Sequence, residues 1–329
     1  MSSIHYNNIL NLKGAIVGIS FIKYLMWFII VYQLSKYEYY KEYENVFINV
    51  LKFCFFFQLL ILVFQKFDIL GFASGPFFYF VVKFYSIPNI YSTSSDIESL
   101  ISTHMNFLFR PAGTFGSSTV TGLSMYIVGS VLYMKSNRKI YKVLAYFSAM
   151  ICFAKIALVT AIFCDFILPL VIKFKPKKFI LSIAFLPILA IVFYYSMEFL
   201  GVLHNFEGAV DGTDRGVTHR LDVVNYMANM SFVELFIGNL GVLPFGFFDS
   251  GTLLSIFRYG IIFYSLEYLL LLLMFFKLSG DKIIAFSFAF YVLFADLTFG
   301  SVFNPIFSIV IFFMFLSCIA LKHNIQRSS

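Results

Sequence analysis

Charge is what this 329-residue sequence has least of. Asp, Glu, Lys and Arg make up 12% of it, against a hydrophobic share of 60% and a mean hydropathy of +0.86. So few charges cannot solvate a globular surface of this size, which excludes an ordinary soluble enzyme. Cysteine is also scarce. Cys54, Cys152, Cys164 and Cys318 all lie in apolar runs without CxxC spacing, which leaves buried, inert thiols rather than a disulfide framework or a metal set. His204 and His219 lack HxxxH spacing, and Asp211-Gly212-Thr213-Asp214 reads as a solvated turn, so neither a metal nor another cofactor is expected. No internal repeat is visible. The first thirteen residues, MSSIHYNNILNLK, are polar and no small-residue cleavage site follows them, so no removable signal peptide is expected.

What the chain has instead is apolar runs of bilayer length. The expected fold class is all-α: a polytopic integral membrane protein of about ten transmembrane helices in one domain. The runs are Gly14–Leu34, Val46–Gln65, Thr119–Met134, Phe179–Glu198, Leu253–Phe276, Ile283–Phe299 and Pro305–Leu321. Two more segments are irregular. Phe67–Ile87 is broken by Gly71, Gly75 and Pro76, and either crosses fully or dips in from one side. Val143–Ile172, with Lys155 near its middle, is long for one helix, so two short helices turning near Ala154–Lys155 are expected. If Phe67–Ile87 is re-entrant, the count falls to nine. The net charge of +7 sits mostly in short loops such as KSNRKIYK, as the positive-inside rule expects, and implies no nucleic acid.

Polarity is concentrated in two islands, expected as external loops over about 88–116 and 199–252. The second carries two histidines, two arginines and six carboxylates between Gly201 and Thr252. Loops between spans can be very short, so this much polarity marks a working surface. In the first island, Arg110 opens RPAGTFG just ahead of a span. Pro111 fixes φ, Gly113 and Gly116 permit close backbone approach, and Ser117 and Ser118 suit a helix cap. An arginine beside a helix N-terminus seats a phosphate group well, and it is equally placed to snorkel to lipid headgroups.

These residues resemble a known family. An external R-P-x-G-T-F ahead of a span is similar to the Wzy-type O-antigen and capsule repeat-unit polymerases, relatives of the O-antigen ligases. Phe153-Ala154-Lys155-Ile156-Ala157 sits where that family has a short basic turn between two short helices. His219-Arg220-Leu221 falls where it has an arginine opening an amphipathic segment. Gly238-Asn239-Leu240-Gly241, then Phe248-Asp249-Ser250 and Arg258-Tyr259-Gly260, resemble its G-x-G, Asp-Ser/Asn and YG run. The likeness covers about Arg110 to Gly260 and is one of order and spacing; the basic turn here lacks the usual Ser and Thr.

The resemblance implies a glycosyltransferase in the bacterial inner membrane that works at the outer face. It would take undecaprenyl-diphosphate-linked oligosaccharides as substrates, with a chain-length regulator as a further partner. Fixed cations would bind the diphosphate leaving group: Arg110, Arg215, Arg220 and Arg258 are the candidates, because a guanidinium grips phosphate oxygens bidentately. A base would take the acceptor proton, and Asp249, His219 or Asp222 would serve. Asp249 stands where the related ligases carry an acceptor-activating histidine, which favours polymerase over ligase. Its residue type and place ahead of an apolar run equally suit a helix cap. Lys23, Lys52, Lys83, Asp165, Glu267 and Asp296 fall inside spans, and such charges sustain a rival reading as a lipid-linked sugar transporter.

Overall fold

The computed structural model describes residues 12–36, 40–85, 110–172, 215–239, 250–299 and 305–328, and side chains within most of these stretches. Every regular element among them is helical. Three helices are long and apolar enough to cross a bilayer: Tyr43–Lys66, Lys155–Ile172 and Gly251–Ser279. The chain is therefore an all-helical membrane protein. A helix satisfies its own backbone hydrogen bonds, which hydrocarbon demands of any spanning segment. The expected span Phe179–Glu198 lies outside the described residues.

Two compact units interleave along the chain. One comprises 26–163, 277–281 and 305–329; the other comprises 1–25, 164–276 and 282–304. In the first unit, α1 (Leu12–Leu34) contributes its second half, followed by α2 (Tyr40–Lys66) and the short α3 (Pro76–Tyr85). The 10 described residues of α3 reach about 15 Å, half of a hydrocarbon core. The centre of this unit is α4 (Ser118–Ser136), buried along most of its length and packed by α2, α5 and α11 (Pro305–Ser328). It starts where expected: Ser117 is the N-cap, its hydroxyl accepting from the Val120 N–H. It ends at Asn137, whose left-handed φ of 55° closes the C-terminus, and α5 (Lys139–Ile151) folds straight back. The hairpin is tight because its facing residues are small. A Cβ on Gly129 would overlap that of Ala145, and one on Gly122 that of Ala154. A buried Lys135–Glu44 ion pair, with Lys135 also donating to the Ala320 carbonyl at 2.8 Å, ties α4 to the start of α2 and to α11.

The break expected near Ala154 is present. After α5 the chain turns through Cys152–Ala154, with Phe153 at a positive φ of 46°, and α6 (Lys155–Ile172) begins. A π-turn over Phe163–Ile167 lies within α6. The sequence reading expected two short arms here, but α6 alone has 18 residues, enough to cross.

The second unit holds the far half of α6, α7 (Arg215–Ala228), α8 (Phe232–Ile237), α9 (Gly251–Ser279) up to Phe276, and α10 (Lys282–Phe299). The Cys164 thiol donates to the Ser287 carbonyl at 3.9 Å, joining α6 to α10. The expected continuous span Leu253–Phe276 is interrupted. Gly260 (φ 80°, ψ 164°) breaks α9 into a short arm and a long arm. The reason is the neighbour: a Cβ on Gly260 would overlap the Phe236 carbonyl, and one on Gly238 would overlap the Arg258 carbonyl. With Asn239 N–H donating to Phe257 O at 2.6 Å, the end of α8 is locked into the kink backbone to backbone.

Candidate functional site

Arg110 is the best-defined of the residues singled out from the sequence. Its Nε donates to the Cys152 carbonyl at 3.4 Å, and Nη2 to the Phe153 carbonyl at 3.3 Å and the Thr119 hydroxyl at 3.5 Å. The guanidinium therefore bridges the start of α4 and the turn between α5 and α6, while the residue stays exposed. Three protein acceptors thus orient the side chain. The arginine-bearing loop and the Phe153–Ala157 turn are 42 and 43 residues apart in the chain and adjacent in this unit.

The backbone beneath Arg110 is fixed from the other side. Gln65, fully buried, accepts from the Gly113 N–H at 2.8 Å and donates back to the Gly113 carbonyl at 3.2 Å. Thr114 donates to Gln58 Oε1 at 2.7 Å, and Thr121 donates to the Ala112 carbonyl at 2.5 Å. Gly113 has a φ of 60°, and any side chain there would overlap the Gln58 amide. The glycine is thus required both for its backbone and for the glutamine.

A second cation joins this site, one that sequence reading passed over. Lys66, the last residue of α2, places its Nζ over the Phe153 ring, 4.7 Å from the centroid. Both Lys66 and Arg110 act electrostatically on the intervening Cys152. Lys155, at the first position of α6, is exposed. The signal that could have found Lys66 was its place at the end of a span directly before the glycine-broken segment. The turn that follows holds Asp68, a partly exposed carboxylate accepting from the Ala73 and Ser74 N–H groups at 2.8 and 3.0 Å. The Ser74 side chain, then its N–H, hold the Asp68 carboxyl below its usual range. Chemically, this is a rigid, exposed guanidinium with a lysine close by, suited to an anion with several oxygens.

The other candidates belong to the second unit. Arg215, His219, Arg220 and Asp222 are all on α7, and Asp222 is exposed. At about 100° per residue, Arg215, His219 and Asp222 fall on one face, while Arg220 lies at least 100° away from each of them. Arg258, partly exposed, is on the short arm of α9, two residues before the kink.

Asp249 lies outside the described residues. Its neighbour Ser250 contributes at the start of α9: the Ser250 hydroxyl accepts from the Leu253 N–H at 3.4 Å, and the Ser250 carbonyl from the Leu254 N–H at 3.1 Å.

Of the intramembrane charges, Lys52 donates to Asn49 Oδ1 at 3.4 Å and Lys23 lies over the Tyr24 ring at 4.9 Å. Asp165 sits in the π-turn of α6, and the Lys83 side chain is outside the description. Glu267 and Asp296 are different: both are buried, on α9 and α10, and Tyr268 donates to Asp296 Oδ2 at 2.9 Å. Among the described residues, no group of three or more His, Cys, Asp or Glu is arranged to hold a metal ion.

Comparison of the chain with family models, with curated proteins and with solved structures found no match.

Proposed function

We propose that this chain is a membrane glycosyltransferase that polymerises undecaprenyl-diphosphate-linked oligosaccharide repeat units, as the O-antigen and capsule polymerases do. The observation that carries the reading is Arg110. It is exposed, pinned by three acceptors at the α5–α6 turn, and set on a glycine-bearing loop that buried glutamines hold from behind. A preorganised guanidinium is what a departing diphosphate requires, because stabilising charge that develops in the transition state needs donors already in place. Lys66 and Lys155 add positive charge in the same unit, and Arg215, Arg220 and Arg258 are further cations for the reaction.

In the reaction the acceptor sugar hydroxyl attacks the anomeric carbon of the donor glycan. The bond from that carbon to the phosphate oxygen breaks, and undecaprenyl diphosphate leaves with the electron pair. The hydroxyl proton passes to a base, for which Asp249 is the first choice and His219 and Asp222 follow. The reaction is assigned to the outer face of a bacterial inner membrane, over the loops 88–116 and 199–252, with a chain-length regulator as partner and no cofactor.

The test uses purified protein in lipid nanodiscs with an undecaprenyl-diphosphate-linked oligosaccharide. Undecaprenyl diphosphate should be released in step with the appearance of lipid-linked products longer by whole repeat units. Glycan transferred instead to a lipid A core would make the chain a ligase. The buried carboxyls Glu267 and Asp296 favour a second reading, a lipid-linked sugar transporter. Substrate crossing sealed liposomes without elongation would establish that one.

A further inference from the structure

Helix α7 has one broad apolar face, and the described residues cover only one side of it. Val223 and Met227, about 40° apart around the helix, are buried. Val224 lies about 60° beyond Met227 and Leu221 about 60° further, and this side of the face is exposed, Leu221 by 54%. The polar face with Asp222 fills the remaining arc. Helix α8, which follows, is also largely uncovered among the described residues, with Phe232 exposed by 73%, Val233 by 51% and Ile237 by 60%. A Ser231–Glu234 capping box starts α8 with its first turn in place, so these residues are presented by regular helix.

The level of this surface relative to the bilayer follows from Gly260. Beyond the kink, residues 261–279 form a helix roughly 28 Å long, which alone matches a hydrocarbon core of about 30 Å. The kink thus sits at one boundary of the core, and the short arm of α9 lies outside it. The backbone lock between Gly238 and Gly260 pins the end of α8 at that same boundary, and Tyr226 of α7 packs on Phe257 of the short arm, 6.1 Å between rings. Just beyond the kink, Ile262, Phe263 and Leu266 are exposed and apolar, the flank that a spanning helix turns to lipid.

We infer that α7 and α8 lie in the bilayer interface, with Leu221, Val224, Phe232, Val233 and Ile237 seated among the upper acyl chains of the lipid. An amphipathic helix with one apolar face buries that face about 5–10 Å into the headgroup–acyl boundary, and here a span fixes its height as well. Such a patch left in water would be a liability for association. The polar face of α7, with Asp222, is then held at headgroup level. This placement is independent of the reaction proposed above.

The chain's one tryptophan, Trp27, makes a direct test simple. In a Trp27→Phe background, Leu221→Trp and Phe232→Trp are compared with Asp222→Trp in phosphatidylcholine vesicles carrying bromine at shallow or deep acyl positions. Leu221→Trp and Phe232→Trp should be quenched by the shallow bromines more than by the deep ones, and shielded from aqueous iodide. Asp222→Trp should be quenched by iodide and little by either lipid. Iodide quenching of all three alike, without lipid quenching, overturns the placement. Shielding from iodide without quenching by any brominated lipid also overturns it, because protein, such as a second copy, then covers the stripe. If Phe232→Trp does not fold, Ile237→Trp gives the same readout.

Discussion

The loop at Arg110 and the kink at Gly260 hold two candidate surfaces by opposite means. At Arg110 the backbone is positioned by side chains: Gln65 clasps Gly113 from behind, and the arginine reaches main-chain carbonyls of the turn in front. At Gly260 no side chain intervenes. Two glycines let the backbones of α8 and α9 touch, and one amide of Asn239 seals the contact. The first arrangement leaves a charged group pinned and exposed, as binding an anion requires. The second is made by backbone alone and fixes height and angle, as orienting a helix requires. The difference separates residues that act from residues that place.

The largest expected effect tests which kind Asp249 is. Asp249→Asn keeps shape and hydrogen bonding but removes the base, so polymer formation should fall roughly a hundred- to ten-thousand-fold at matched membrane abundance. The ladder of glycan lengths on a gel is the readout. Ser250→Ala, by contrast, should cost about 1 kcal/mol of stability and leave the ladder intact. A normal ladder from Asp249→Asn would move the base to His219 or Asp222.

Next in size is the kink. Gly260→Ala forces a Cβ into the Phe236 carbonyl at a φ that only glycine adopts freely, so about 2–4 kcal/mol should be lost. Thermal unfolding in detergent measures this, and an unchanged midpoint would show that the lock carries no weight. Smaller again is the effect of Gln65→Ala, which strands the buried N–H and carbonyl of Gly113. About 1–3 kcal/mol is expected, with activity lost in proportion to Arg110 mobility rather than to its charge. Should the kink variant retain transfer per folded molecule while Gln65→Ala does not, the contrast between placing and acting stands.

Several of these features were legible in the sequence. The Ser117 cap followed from its residue type ahead of an apolar run, and the break at Cys152–Ala154 from a run too long for one helix. The Arg110 contacts were not, because their acceptors are main-chain carbonyls over forty residues away, which no residue type announces. Hydropathy could not reveal the kink in α9, since Gly260 lies inside an unbroken apolar run and is demanded by Phe236 rather than by its neighbours.

The central claim is that Arg110 grips a diphosphate, and one comparison tests it most directly. Wild type, Arg110→Lys and Arg110→Ala, at matched abundance in nanodiscs, are each given undecaprenyl-diphosphate-linked oligosaccharide, and release of undecaprenyl diphosphate is followed. Lysine keeps the charge but lacks the planar fork, so Arg110→Lys should retain a small fraction of the wild-type rate and Arg110→Ala none that can be detected. Wild-type turnover by Arg110→Ala would contradict the account.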